Sequence, residues 1–202
     1  MNVKKLDIVS QINNLISQND GRITSKQISE EGIHRMYLKK LVDIGELCRI
    51  SRGIYQESDV FEDELYNLQT RYKSGIYSLE TALYLHGLLE RVPFAWTMTF
   101  KSSYHSESIK NENILVKYSS DSLYPIEIET VNTPSGNTVK AYSVERTLCE
   151  ILTVKANVDI QVIIYALKSY ARRKNKDIYK IMKLSKVFHV ENKMQNYLEI
   201  LL

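Results

Sequence analysis

Residues 32–56 read GIHRMYLKKLVDIGELCRISRGIYQ, and this stretch sets the architecture expected at the amino terminus. Ile33, Tyr37, Leu38, Leu41 and Ile44 fall within one arc of a helical wheel, while Arg35, Met36, Lys39 and Lys40 fall opposite. One face of this helix is therefore expected to pack and the other to be basic. After Gly45, the runs 47–50 and 54–56 are strand-like and flank Ser51-Arg52-Gly53, which predicts a hairpin with a glycine turn. Upstream, Ile8, Ile12, Leu15 and Ile16 keep helical spacing over 4–18, with Asn19, Asp20 and Gly21 as the stop. Ile23 precedes Thr24 and Ser25, either of which can cap a short helix through Ile28 to Glu30; Ser25 begins a Ser-x-x-Ile rather than a full capping box. Gly32 supplies the turn into the basic helix.

Helix, helix, turn, helix and hairpin in this order predict a winged helix-turn-helix. A helix about 10–12 Å across fits the major groove of double-stranded DNA, so a basic outward face reaches phosphates and base edges together. The residues expected at such an interface are Ser25, Lys26, Arg35, Met36, Lys39, Lys40, Arg49 and Arg52. Arg35, near the helix start, is the candidate for reading a guanine edge; Arg49 and Arg52 suit the backbone beside a wing. Tyr37 reads as core and His34 as part of the helix start.

The formal net charge is only +3, so its distribution matters more than its sum. Residues 1–56 carry nine Lys+Arg against six Asp+Glu, 57–76 carry two against five, and 168–193 carry nine against two. The acidic stretch suggests a division into a winged helix-turn-helix at 1–56, an acidic linker or linking helix at 57–76, and an α+β domain at 77–202. In the last, Ser78 is expected to cap a helix from Leu79 to Leu89, ended by Pro93. Residues 95–100, 114–118, 126–131 and 139–142 are β-rich and predict a mostly antiparallel or mixed small sheet; residues 133–137 form a turn. Ser143 caps a helix through Leu152, and helical periodicity returns at 158–170, 176–183 and 190–202. The fold class expected is α+β.

A second basic surface is expected at Lys168, Arg172, Arg173, Lys176 and Lys180; Lys168, Arg172, Lys176 and Lys180 share one side if a helix continues through Asn175. It would hold flanking DNA or an acidic, RNA-like surface, or be a solvated face. Glu145 reads as a helix-start charge and Arg146 as an ion-pairing or surface residue. Cys48 and Cys149 lack CxxC or histidine partners and read as buried reduced thiols. No HExxH, glycine-rich phosphate loop, nucleophile elbow or Gly-Ser with paired aspartates occurs, so no enzyme activity, metal or cofactor is expected. No run of about 20 apolar residues exists, and the start lacks a signal-peptide core, which predicts a cytoplasmic protein without a membrane partner.

Gly32-Ile33-His34-Arg35, Leu38, Leu41-Val42, Gly45-Glu46-Leu47 and above all Arg52-Gly53-Ile54-Tyr55 resemble the amino-terminal domain of AbiEi antitoxins. The likeness continues in Tyr77-Ser78-Leu79-Glu80-Thr81-Ala82-Leu83, His86-Gly87-Leu88 and Tyr142-Ser143-Val144-Glu145-Arg146-Thr147-Leu148-Cys149-Glu150, and thins after about Val158. The resemblance implies an antitoxin of a type IV abortive-infection system that limits phage spread. It would counter a nucleotidyltransferase toxin of AbiEii type without requiring a stable complex. It would also repress its own promoter, with the winged helix on inverted repeats of the operator. The residues alone also allow a winged-helix regulator whose second domain senses a small ligand and which has no toxin partner.

Overall fold

Thr24 settles the choice of cap for the second helix. Its hydroxyl accepts the Gln27 backbone N–H at 3.2 Å, while the Gln27 side-chain oxygen accepts the Thr24 N–H at 2.8 Å. This is a complete capping box one residue ahead of the Ser25 word, and its sign in the sequence is Thr-x-x-Gln. The computed structural model describes residues 3–19, 21–58, 63–107, 109 and 112–201, with side chains from Ile8 onward. Asp20, expected in the first helix stop, lies outside the described residues. The chain divides into two units, Met1–Glu62 and Asp63–Leu202.

The first unit runs α1 (Val3–Ser17), β1 (Arg22–Thr24), α2 (Ser25–Glu30), α3 (Met36–Asp43), β2 (Leu47–Ser51) and β3 (Ile54–Glu57). Gly21, at φ 78°, lets the chain turn out of α1, its N–H donating to the Ile16 carbonyl at 3.0 Å. The hairpin β2–β3 gains a third strand, in the antiparallel order β1-β3-β2, which sequence reading did not foresee. Ile12, Ile16, Ile23, Ile28, Ile33, Leu38, Leu41 and Leu47 form the core between helices and sheet. Full burial of each such side chain contributes about 1.5–3 kcal/mol before conformational entropy is charged. Ile44, expected in the packed arc, is instead 65% exposed, because α3 ends at Asp43 and Ile44 caps it.

The second unit begins within the stretch expected to be an acidic linker or a linking helix. Residues 57–76 are shared out: β3 ends at Glu57, α4 spans Glu64–Arg71 and β4 spans Ile76–Tyr77. Leu65, Leu68 and Tyr72 join Tyr77, Met98 and Phe100 in one apolar cluster, so a fragment cut at residue 77 would lose part of its own core. The Asp63 carboxylate accepts the Tyr66 N–H at 3.1 Å, the Asn137 amide at 2.8 Å and the Thr133 hydroxyl, pinning α4 to the 133–137 turn.

After α5 (Leu79–Leu85) come β5 (Trp96–Lys101), β6 (Ile114–Ser119), β7 (Ile128–Asn132) and β8 (Thr138–Tyr142). They form a mixed sheet in the order β6-β5-β4-β8-β7, with β5–β6 and β4–β8 parallel. Helices α6 (Val144–Ile151), α7 (Ile160–Ala171), α8 (Ile178–Val187) and α9 (Glu191–Leu201) follow, with a 3₁₀ turn at Val154–Ala156. They bury Leu148, Leu167, Ile181 and Met194 together. Ser143 caps α6 as expected, accepting the Arg146 N–H at 3.4 Å. Ser78 makes no such bond, because its hydroxyl faces the sheet and accepts from the Thr99 hydroxyl at 2.8 Å.

The cysteines differ from expectation in one respect: Cys149 is fully buried, but Cys48 on β2 is only half-buried. Burial, with Glu145 and Glu150 nearby, pushes the Cys149 thiol up to about 12. A disulfide-exchange reagent at pH 8 should therefore modify Cys48 in the native protein and Cys149 only after unfolding. Two fast equivalents in the native state would contradict this arrangement.

Candidate nucleic-acid interface

The geometry of the first unit follows from two short ties. The Ser25 backbone N–H donates to the Gly53 carbonyl at 2.8 Å, joining the start of α2 to the hairpin turn. Gly53 has φ 80°, a left-handed conformation that favours glycine, while a Cβ there would meet Ser25 only at ordinary contact distance. The second tie fixes Arg35. Its Nε donates to the Ser29 hydroxyl at 2.9 Å, which in turn donates to the Ser25 carbonyl at 2.8 Å. Arg35 is thus the residue before α3, held against α2 with its Nη groups carrying the remaining donors.

Met36, Lys39 and Lys40 are exposed on α3, and Lys40 lies 5.4 Å from the Tyr37 ring centroid. Tyr37 packs against the core at partial burial, and the His34 Nδ1 accepts the Met36 N–H at 3.2 Å. Lys26 is exposed and 3.5 Å from Glu30, an ion pair worth little in water. Arg49 and Arg52 are exposed on the wing, with the Arg49 Nε donating to the Ser51 carbonyl at 3.3 Å. Arg22 escaped the sequence reading: it is buried, and its Nε donates to the Gln56 side chain at 3.0 Å, bracing β1 on β3.

The basic tract of the second unit does not lie along one helix. α7 ends at Ala171 and α8 starts at Ile178, so the row through Asn175 does not form. The Asp177 side chain caps α8, accepting the Lys180 N–H at 2.8 Å. Lys180 bridges Glu127 and Glu145, with its Nζ 2.6 and 3.3 Å from their carboxylates. Partial burial works against its charge, yet the hydrogen bonds it donates to these carboxylates hold its pKa above the usual lysine value. Arg173 donates to the His86 carbonyl, and Lys176 to the Arg173 carbonyl at 3.3 Å. Lys168 and Arg172 remain exposed.

Arg146 also departs from expectation, since it is fully buried rather than a surface residue. Its Nη1 donates to the carbonyls of Leu123 at 2.8 Å, Tyr124 at 3.3 Å and Ile126, fastening the 120–127 loop. Its guanidinium carbon lies 3.2 Å from the Tyr142 ring centroid, and Nη2 is 3.9 Å from Glu150. Only tertiary structure supplies these carbonyls, and so sequence spacing carried no sign of them.

Helix, turn, helix and hairpin, with exposed basic side chains on α3 and the hairpin, give the first unit a helix-turn-helix architecture ahead of an α+β unit. Residues 10–58 match the family described as a transcriptional regulator, AbiEi antitoxin. The resemblance seen in the sequence thus holds for the amino-terminal unit. No curated protein matches the chain significantly. The chain is similar in fold to the RV2827C protein from Mycobacterium tuberculosis, with a TM-score of 0.61 and 13% identity over 96% of this chain and 81% of that one. No helix among the described residues is long and apolar enough to cross a membrane.

Proposed function

We propose that this chain is a DNA-binding antitoxin and autorepressor, a regulator rather than an enzyme, acting in the cytoplasm within a phage-defence toxin–antitoxin system. The observation that carries the reading is the Ser25–Gly53 and Arg35–Ser29 pair of ties, which holds a basic helix start and a basic wing in one frame within the matched family segment. On this reading α3 enters the major groove of an operator with inverted repeats. Arg35 reads a guanine, positioned by Ser29, and Met36, Lys39 and Lys40 line the groove. Ser25, Lys26, Arg49 and Arg52 serve the phosphates. The functional partner is a nucleotidyltransferase toxin of AbiEii type, countered by the second unit. Of the five tract residues named above, Lys168 and Arg172 are exposed and left for a partner, whereas Arg173, Lys176 and Lys180 serve internal structure.

The test pairs genetics with binding. Co-expression with an adjacent nucleotidyltransferase gene should restore growth, and the protein should shift DNA from upstream of its own gene. Arg35→Ala should lower affinity for that operator by roughly 5- to 150-fold, from about 1–3 kcal/mol for a lost bidentate contact, and affect random duplex much less. Arg52→Ala should weaken both duplexes alike and flatten the log–log salt slope by about one unit. Equal loss on both duplexes for Arg35→Ala would remove it as the base reader.

A further inference from the structure

We infer that the second unit contains a nucleoside-phosphate site, in the cavity of about 700 Å³ bounded by β6, the 120–123 segment, the end of α6, the 3₁₀ turn, the end of α8 and α9. The volume lies within the roughly 300–1,000 Å³ of small-molecule sites. The inference concerns a region apart from the DNA-binding ties and stands or falls independently of them.

The lining makes three separate demands on a ligand. Lys117, Lys155 and Lys193 give the cavity a cationic side. The Lys117 ammonium donates to the Ala156 carbonyl at 3.3 Å and the Lys193 ammonium to the Leu152 carbonyl at 3.2 Å. Each ammonium has three donors, so these bonds hold the lysines in place and leave donors for an anion. The second demand is opposite in sign. Glu150 lines the same cavity, and its Oε2 is closed to solvent with no hydrogen-bond partner among the described residues, while Oε1 faces Arg146. A buried acceptor left without a donor costs about 1–3 kcal/mol, and a small turn of the carboxyl would let a ligand N–H supply one. Third, Phe188 and Leu123 give an apolar wall against which a flat ring can lie.

Phosphates, a flat apolar body and an N–H edge are together the chemistry of a nucleotide. A bare phosphate would meet the first demand alone. Leu79 adds a further sign, lining the cavity at φ 47°, a conformation that costs a non-glycine residue and gathers at ligand clamps.

The experiment is calorimetric titration of the full chain with ATP, GTP, CTP and UTP, and with inorganic tripolyphosphate, at matched ionic strength. At least one nucleotide should bind, and tripolyphosphate about tenfold or more weaker. The double variant Lys155→Ala/Lys193→Ala, both exposed positions, should weaken nucleotide binding at least about tenfold with an unchanged unfolding midpoint. Glu150→Gln removes a negative charge from beside the lysines, so tripolyphosphate should bind as well or better while the advantage of nucleotide over tripolyphosphate shrinks. The inference is overturned if no nucleotide binds below about 1 mM, if tripolyphosphate binds as tightly, or if the double variant binds like the parent.

Discussion

Arg146→Ala should destabilise the second unit by about 3–5 kcal/mol, the usual result of removing one partner from a buried ion pair. Three loop carbonyls lose their donor, Tyr142 loses the guanidinium over its ring, and Glu150 is left a buried carboxylate facing an empty space. For a unit of this size the thermal midpoint should fall by roughly 6–20 °C. Trp96, the single tryptophan, is buried in this unit with its Nε1 donating to Glu64 at 2.7 Å, and reports the transition by fluorescence. Arg146→Met combined with Glu150→Gln should recover part of the loss, because the apolar replacement fills volume and the amide at position 150 carries no charge. A loss below about 1 kcal/mol for Arg146→Ala would mean that the loop does not depend on it.

Leu38→Ala should have an effect of comparable size on the first unit. Leu38 is fully buried on α3, and truncation of such a leucine costs about 2–5 kcal/mol through lost contact and a residual cavity. Small units have only a few kcal/mol in reserve, so operator and random DNA binding should both fall by more than about 100-fold. The Trp96 transition should stay where it was, since the described residues that cluster with Leu38 all belong to the first unit. A Trp96 midpoint that moves together with DNA binding would show that the two units unfold as one.

The winged helix-turn-helix was legible because helical period and glycine punctuation act locally. Leu38 and Leu41 at spacing three, and Gly53 at a hairpin turn, state their environment within a few residues. α4 was obscured by composition: its acidic flank suggested a linker or a linking helix, although Leu65, Leu68 and Tyr72 already keep positions i, i+3 and i+7 and place it in the second unit's core. The basic tract was overread for the opposite reason. Charge spacing was extended through residues 172–177, whereas the Asp177 cap marks a new helix start. Lys180 then finds Glu127, distant in sequence, and Arg146 finds carbonyls of residues 123–126; such partners are chosen by the fold and leave no periodic trace. The cavity around Glu150 and Lys193 belongs to the same class.

The bond between Ser25 and Gly53 has a thermodynamic consequence for recognition. A free hairpin tip surrenders roughly 1–2 kcal/mol per residue when a duplex immobilises it. On the DNA-binding reading proposed above, the tip is tied down before any duplex arrives, so that loss is incurred when the chain folds. Binding then draws on a preorganised surface, and variants that loosen the turn should show their cost as a more unfavourable entropy of association with the enthalpy little changed.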